Sequence, residues 1–174
     1  VGSLRQDSYN QKLARAVSKL LPSDYSAVFA DISQLPLYNQ DNDDAIPSEA
    51  LKFKQVIASA DAVIFVTPEY NRSIPGVLKN AIDTGSRPYG SSVWQGKPAG
   101  ILGTSPGALG TALAQLHLRN VLSFLDMYVV TQPDVYLQFH ENSFDADDNI
   151  VNESTKVYLQ GWVNKYLDWV EKTR

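Results

Sequence analysis

Short apolar runs alternate with amphipathic segments along the whole chain, and this alternation limits the possible folds more than any other feature. The run at 62–66 consists of Ala, Val, Ile and Phe, which is typical of a parallel strand buried on both faces. The mainly apolar segments at 27–32, 99–102 and 127–130 predict further strands. Helical patterns lie between them, so the sequence predicts a parallel sheet with helices on both faces.

Apolar residues at helical spacing predict the helices that connect these strands. The first pattern runs from Leu13 until Pro22, which cannot continue a helix. A proline is tolerated at the start of the third, at Pro75. The predicted helices cover approximately 13–21, 53–60, 75–83, 109–125 and 159–170.

The first predicted helix follows a polar loop that only Val1 precedes. Loops of this kind normally leave the end of a strand, so we expect a strand upstream of Val1. With that strand the chain contains five strand–helix units. The prediction is a single flavodoxin-like domain over residues 1–174, with a doubly wound, five-stranded parallel sheet in the order 2-1-3-4-5.

Composition excludes several classes of function. The 174 residues carry a formal net charge of −4 and no long basic stripe, which argues against a nucleic-acid partner. Cysteine is absent, which removes thiol catalysis, Fe–S clusters and cysteine-ligated zinc, and which fits a cytoplasmic protein. No apolar stretch approaches the roughly 20 residues that a membrane-spanning helix needs. We therefore expect no membrane partner.

Three loops carry the residues suited to chemistry: the N-terminal loop (2–10), the proline loop (67–76) and the glycine loop (103–110). In the order 2-1-3-4-5 they lie side by side. The N-terminal loop opens a helix, where free N–H groups and about half a positive charge favour a phosphate, and Arg5 adds a planar set of donors. The glycine loop allows close approach of a flat ligand. Together the loops predict a phosphate pocket beside a slot.

Three motifs in these loops resemble one enzyme family. They are the opening G-S-L-R-x-x-S-x-N, the block T-P-E-Y-N-x-S-x-P-G-x-L-K-N-A-I-D from Thr67, and the glycine loop with Q-L-H-L-R from Gln115. They resemble the NAD(P)H-dependent FMN reductases, and most of all the quinone and chromate reductase branch. The resemblance implies FMN as cofactor, NAD(P)H as co-substrate and a small-molecule acceptor (quinone, chromate or azo compound) reduced by a ping-pong mechanism. It also implies a homodimer or homotetramer.

The resemblance further implies which residues bind FMN. Its phosphate would be held by Ser3, Arg5, Ser8 and Asn10. Its ring would be lined by Pro68, Glu69, Tyr70 and Asn71, with Ser105 and Gly107 near the other polar edge. No protein residue is expected to be catalytic, because the flavin carries the chemistry. For the Glu69 and Arg72 side chains, an ordinary surface charge remains an equally good interpretation.

Two other functions fit parts of the sequence. A flavodoxin-type electron carrier would bind FMN without a substrate of its own, and it differs from a reductase only in turnover. A serine hydrolase is suggested by G-x-S-x-G at 103–107, which follows a strand and precedes a helix. However, the residue after Ser105 is Pro106, which has no N–H for an oxyanion hole. His117 is expected on a helix surface or at an interface.

Overall fold

The sheet is built on one pair of parallel strands, of which the second is central. In the computed structural model, which describes residues 1–174, β1 (Val63–Val66) pairs with β2 (Pro98–Ser105). Val63 lies opposite Ala99 in this register. All of β2 up to Thr104 is buried, as the unbroken apolar runs predict.

Two short strands share the other edge of β2. β3 (Tyr128–Val129) pairs in parallel with the start of β2, and β4 (Tyr136–Gln138) pairs in parallel with its end. The sequence predicts a strand at 127–130, near β3, but none at β4. It misses β4 because the exposed, polar ends of this strand hide its pairing with Gly103, Thr104 and Ser105.

The chain also forms five α-helices and one 3₁₀ turn. They are α1 (Tyr9–Ser18), the 3₁₀ turn (Gln40–Asn42), α2 (Ser48–Ser59), α3 (Gly76–Gly85), α4 (Ala112–Phe124) and α5 (Glu153–Thr173). Each predicted helix is present. α5 begins well before its predicted start because the Asn152 side chain caps it, accepting the Thr155 N–H at 2.9 Å. None of these helices combines the length and the apolar character needed to cross a membrane.

The helices cover both faces of the sheet. Val66 and Leu102 belong to a core shared with α1 and α5, whereas Phe65 and Ile101 belong to a core shared with α2, α3 and α4. Neighbouring strand residues thus point to opposite cores, as the pleat requires. The predicted α/β fold with a doubly wound parallel sheet is confirmed.

The predicted strand at 27–32 does not join the sheet. This segment forms no strand ladder, and Val28 is 76% exposed. A groove of about 600 Å³ with mainly apolar walls separates it from β1, so it has no neighbouring strand to bond. The Gly2 N–H donates to the Val66 oxygen at 2.8 Å, which places the start of the chain beside β1. The structure contains four strands, and neither the count of five nor the full order 2-1-3-4-5 is observed.

Candidate functional site

The N-terminal loop presents a row of free backbone donors at the start of α1. Ser8 caps the helix: its hydroxyl accepts the Gln11 N–H at 3.2 Å. The backbone N–H groups of residues 6–10 donate to no other group of the protein. Since the helix dipole adds partial positive charge here, the loop is suited to bind an anion.

Arg5 is held at this helix start by an aromatic stack. Its guanidinium lies 4.5 Å from the centre of the Tyr9 ring, and Tyr9 stacks on Phe139 with ring centroids 3.6 Å apart. The buried Ser3 hydroxyl accepts the Arg5 N–H at 3.4 Å. Sequence reasoning missed Phe139, since it follows the unpredicted strand β4. The orientation of the Arg5 guanidinium is therefore set by packing on Tyr9 rather than by an ion pair.

Asn10 joins two of the loops. Its Nδ2 donates to the Thr104 oxygen at 2.9 Å, and its Oδ1 accepts the Thr104 N–H at 3.0 Å. Both residues are 2% exposed. This arrangement favours a positioning role for Asn10 over the predicted contact with a phosphate.

The proline loop contains a tight turn at its exposed tip. Tyr70 and Ser73 exchange backbone hydrogen bonds of 2.9 and 3.0 Å, and between them Asn71 and Arg72 have φ values of 50° and 66°. Positive φ at both central residues is the requirement of a type I′ turn. The Tyr70 side chain is 52% exposed, and the N–H groups of Glu69 and Asn71 remain free. The turn therefore offers an aromatic ring and backbone donors to a ligand.

The Glu69 carboxylate is directed to neighbouring protein groups rather than to solvent. Its Oε2 accepts the N–H groups of Leu113 and Ala114 at 3.0 and 3.1 Å, at the start of α4. Its Oε1 lies 3.7 Å from the Arg72 guanidinium, and the Glu69 side chain is only 11% exposed. The surface-charge interpretation is thus wrong for Glu69, and any ring contact from this residue is left to its backbone.

The glycine loop is closely packed against its neighbours. A Cβ on Gly103 would lie 2.2 Å from the Thr67 oxygen, and one on Gly110 would lie 2.8 Å from the Tyr136 backbone. The Ser105 hydroxyl donates to the Gly110 oxygen at 2.6 Å. Small residues are therefore required here to bring the loops together.

Ser105 has none of the partners that a nucleophilic serine needs. Its hydroxyl is bonded to a backbone oxygen rather than to a histidine. His117 instead places Nδ1 3.0 Å from the Ser73 hydroxyl. With Pro106 also removing an oxyanion donor, the arrangement does not support serine hydrolysis.

Comparison with protein families identifies the chain. Residues 1–142 match the model that describes the NADPH-dependent FMN reductases. The chain belongs to the NADPH-dependent FMN reductase family. It is accordingly an oxidoreductase with FMN as cofactor and NAD(P)H as co-substrate.

The chain aligns with individual relatives over nearly the full length of each. A 2-hydroxy-1,4-benzoquinone reductase of Burkholderia sp is 56% identical over 174 residues, which is 100% of this chain and 95% of the relative. A quinone reductase of Pseudomonas putida is 49% identical over 175 residues, covering 100% and 94%. The solved structure of FerB, a flavoenzyme NAD(P)H:(acceptor) oxidoreductase from Paracoccus denitrificans, superposes with a TM-score of 0.95 at 44% identity, covering 99% and 94%.

The geometry of this FMN reductase fits its cofactor at three points. The free N–H groups at the start of α1 suit the phosphate. The free N–H groups of Glu69 and Asn71 suit the polar edge of a flavin ring. The glycine loop brings mostly small residues to the same end of the sheet, because Asn10 ties Thr104 to α1.

Proposed function

We propose that this FMN reductase transfers reducing equivalents from NAD(P)H to quinones in two successive half-reactions. The observation that carries the proposal is the convergence of an anion site, an exposed aromatic turn and a loop of small residues at one end of the sheet. The names of the relatives support quinones as the acceptor class. When bound, FMN supplies the redox chemistry, and the protein binds and orients it.

The proposed cofactor contacts follow from the same geometry. Ser3, Arg5 and Ser8, with the free N–H groups of the N-terminal loop, hold the phosphate. The backbone of Pro68, Glu69 and Asn71 and the ring of Tyr70 line the isoalloxazine. Ser105 and Gly107 approach its other edge. The Ser105 hydroxyl, whose proton is donated to the Gly110 oxygen, is left to act as an acceptor.

Anaerobic spectroscopy tests the proposed reaction. The FMN-loaded protein is treated with one equivalent of NADH or NADPH and then with 1,4-benzoquinone. We expect the yellow absorbance to bleach and then to return. Retention of the yellow absorbance after the nicotinamide is added would support an electron carrier instead. Bleaching without reoxidation by the quinone would exclude quinones as the acceptor.

We also propose that a second copy of the chain covers one face of α4. This face exposes Leu116 and Phe124, which are 61% and 89% accessible, and Leu109 precedes the helix at 58%. Exposed apolar surface of this extent supports self-association as a homodimer or homotetramer. Sedimentation equilibrium tests this: Leu116→Glu is expected to lower the molecular mass, from that of a dimer to a monomer or from that of a tetramer to a dimer. An unchanged mass for this variant, or a monomeric parent, would contradict the proposal.

We also propose that one further strand completes the sheet of this domain. Apolar side chains of β1 and of the segment 27–32 line opposite sides of one groove, and the Gly2 N–H already bonds to the Val66 oxygen at its end. A parallel strand entering the N-terminal loop would pair with both sides and would produce the order 2-1-3-4-5. Hydrogen exchange on the full-length protein tests this: amides at 27–32 are expected to be protected, and rapid exchange there would contradict it.

We propose a cytoplasmic location, which the lack of cysteine supports.

A further inference from the structure

α4 receives its N-terminal cap from outside the helix. Thr111 occupies the N-cap position but makes no capping bond with its side chain. Its buried hydroxyl instead accepts a hydrogen bond from Gln115 Nε2 at 2.9 Å. The cap is supplied by Glu69, which lies 44 residues before Leu113 in the chain and accepts the Leu113 and Ala114 N–H groups. A carboxylate at this position satisfies two orphan donors and the positive end of the helix dipole.

A second link fastens the other end of the same turn. Ser73 closes the turn that Tyr70 opens, and its hydroxyl lies 3.0 Å from His117 Nδ1, one turn further along α4. The Tyr70–Ser73 turn is thus attached to α4 at both of its own ends. Glu69 makes the first attachment, just before Tyr70, and Ser73 makes the second. Arg72, within the turn, also faces the Glu69 carboxylate at 3.7 Å.

We infer that Glu69 is a positioning residue of the flavin site. Its carboxylate sets the distance between α4 and the backbone that carries the free N–H groups of Glu69 and Asn71. Hydrogen bonds to a charged acceptor are directional and stronger than those between neutral groups, so this contact holds the backbone more strictly than apolar packing would. The inference rests on the proposed function in one respect, namely that the proline loop lines the flavin ring.

Two substitutions and a matched control test this role. Glu69→Ala removes both acceptor oxygens, whereas Glu69→Gln keeps one acceptor and removes the charge. The control is Asn152→Ala, which removes the side-chain cap of α5, a helix start outside the three loops. For each protein, FMN affinity is measured by fluorescence titration, and the free energy of unfolding is measured by urea denaturation. The visible spectrum is recorded with FMN at saturation.

We expect Glu69→Ala to weaken FMN binding about tenfold or more, since hydrogen bonds to a charged group are lost from the support of the loop. Glu69→Gln should bind FMN with an affinity between those of Glu69→Ala and the parent. In both variants the band of bound flavin should move toward that of free FMN. Asn152→Ala should lose stability but keep the parental affinity and spectrum.

Two results would overturn the inference, and a third would refute the proposed function on which it rests. Parental FMN affinity and spectrum in Glu69→Gln would overturn it, and this variant also decides the question if Glu69→Ala fails to fold. Equal weakening in Asn152→Ala would overturn it too, because general destabilisation would then explain the loss. Failure of the unsubstituted protein to bind FMN, or to react with NAD(P)H when loaded, would refute the proposed function instead.

Discussion

Replacing Asn10 by alanine should weaken both the fold and the flavin site, because this side chain is the direct link between α1 and the glycine loop. The substitution removes the two hydrogen bonds of 2.9 and 3.0 Å to Thr104. It leaves the Thr104 N–H and C=O without partners in a position that is 2% exposed. Each of the two buried orphan groups costs about 1–3 kcal/mol, so the free energy of unfolding should fall by about 2–6 kcal/mol.

Asn80 provides the matched control for this experiment. Its Oδ1 accepts the Tyr38 N–H at 2.8 Å and its Nδ2 donates to the Pro36 oxygen at 2.9 Å, so it makes the same pair of bonds to a different loop. That site is only partly buried, and water can replace the lost bonds. Asn80→Ala should therefore cost about 1 kcal/mol and leave FMN affinity unchanged.

Urea denaturation of the apoproteins and FMN titration of the same preparations measure both effects. Asn10→Ala should weaken FMN binding, because Thr104 immediately precedes Ser105 in the glycine loop. Asn10→Asp should destabilise the protein at least as much, since it would set a carboxylate oxygen against the Thr104 carbonyl. A loss of less than about 0.5 kcal/mol in Asn10→Ala, the range of ordinary surface changes, would refute the reasoning, as would equal effects of Asn10→Ala and Asn80→Ala on FMN.

Three further substitutions test other contacts. Arg5→Ala should lose about 1.5–3 kcal/mol of FMN binding, the range for a hydrogen bond to a charged group, and an unchanged dissociation constant by titration would contradict the assignment. Ser105→Ala should retain most NAD(P)H oxidation, since its hydroxyl serves Gly110; complete loss of turnover with FMN still bound would indicate a catalytic serine. Lys54→Met should lower the free energy of unfolding by about 2–4 kcal/mol, because the Lys54 ammonium, whose pKa burial lowers, donates to the carbonyls of Gly85, Arg87 and Ser91. Thermal denaturation that matches the parent would contradict this role for Lys54.

Local patterns were sufficient to predict most of the elements. The apolar runs at 62–66 and 99–102 became β1 and the buried part of β2, because residues covered on both faces must be apolar throughout. The helices followed from their apolar spacing, since an amphipathic helix shows its buried face within a few turns. By contrast, 27–32 has the composition of a strand without a strand ladder, since ladder bonds need a neighbour that composition does not specify.

The loops that form the site were also recognisable from residue type. A polar loop at a helix start indicates an anion site wherever it occurs, and a long motif identifies a family without any contact being known. The roles of individual side chains were not recognisable in this way. Asn10 and Glu69 are both polar residues in motif positions, and nothing local shows that one bonds Thr104, 94 residues away, or that the other caps a helix 44 residues away.

The opening residues illustrate this division. Gly2 to Asn10 carry the donors, the cap and the guanidinium of an anion site in nine consecutive positions, because helix capping and the helix dipole act within one turn. The direction of Arg5 depends on Tyr9 and on Phe139, which the fold brings from beyond β4. Chemistry that acts over one helical turn can be read from neighbouring residues, whereas packing between distant segments exists only after the chain has folded.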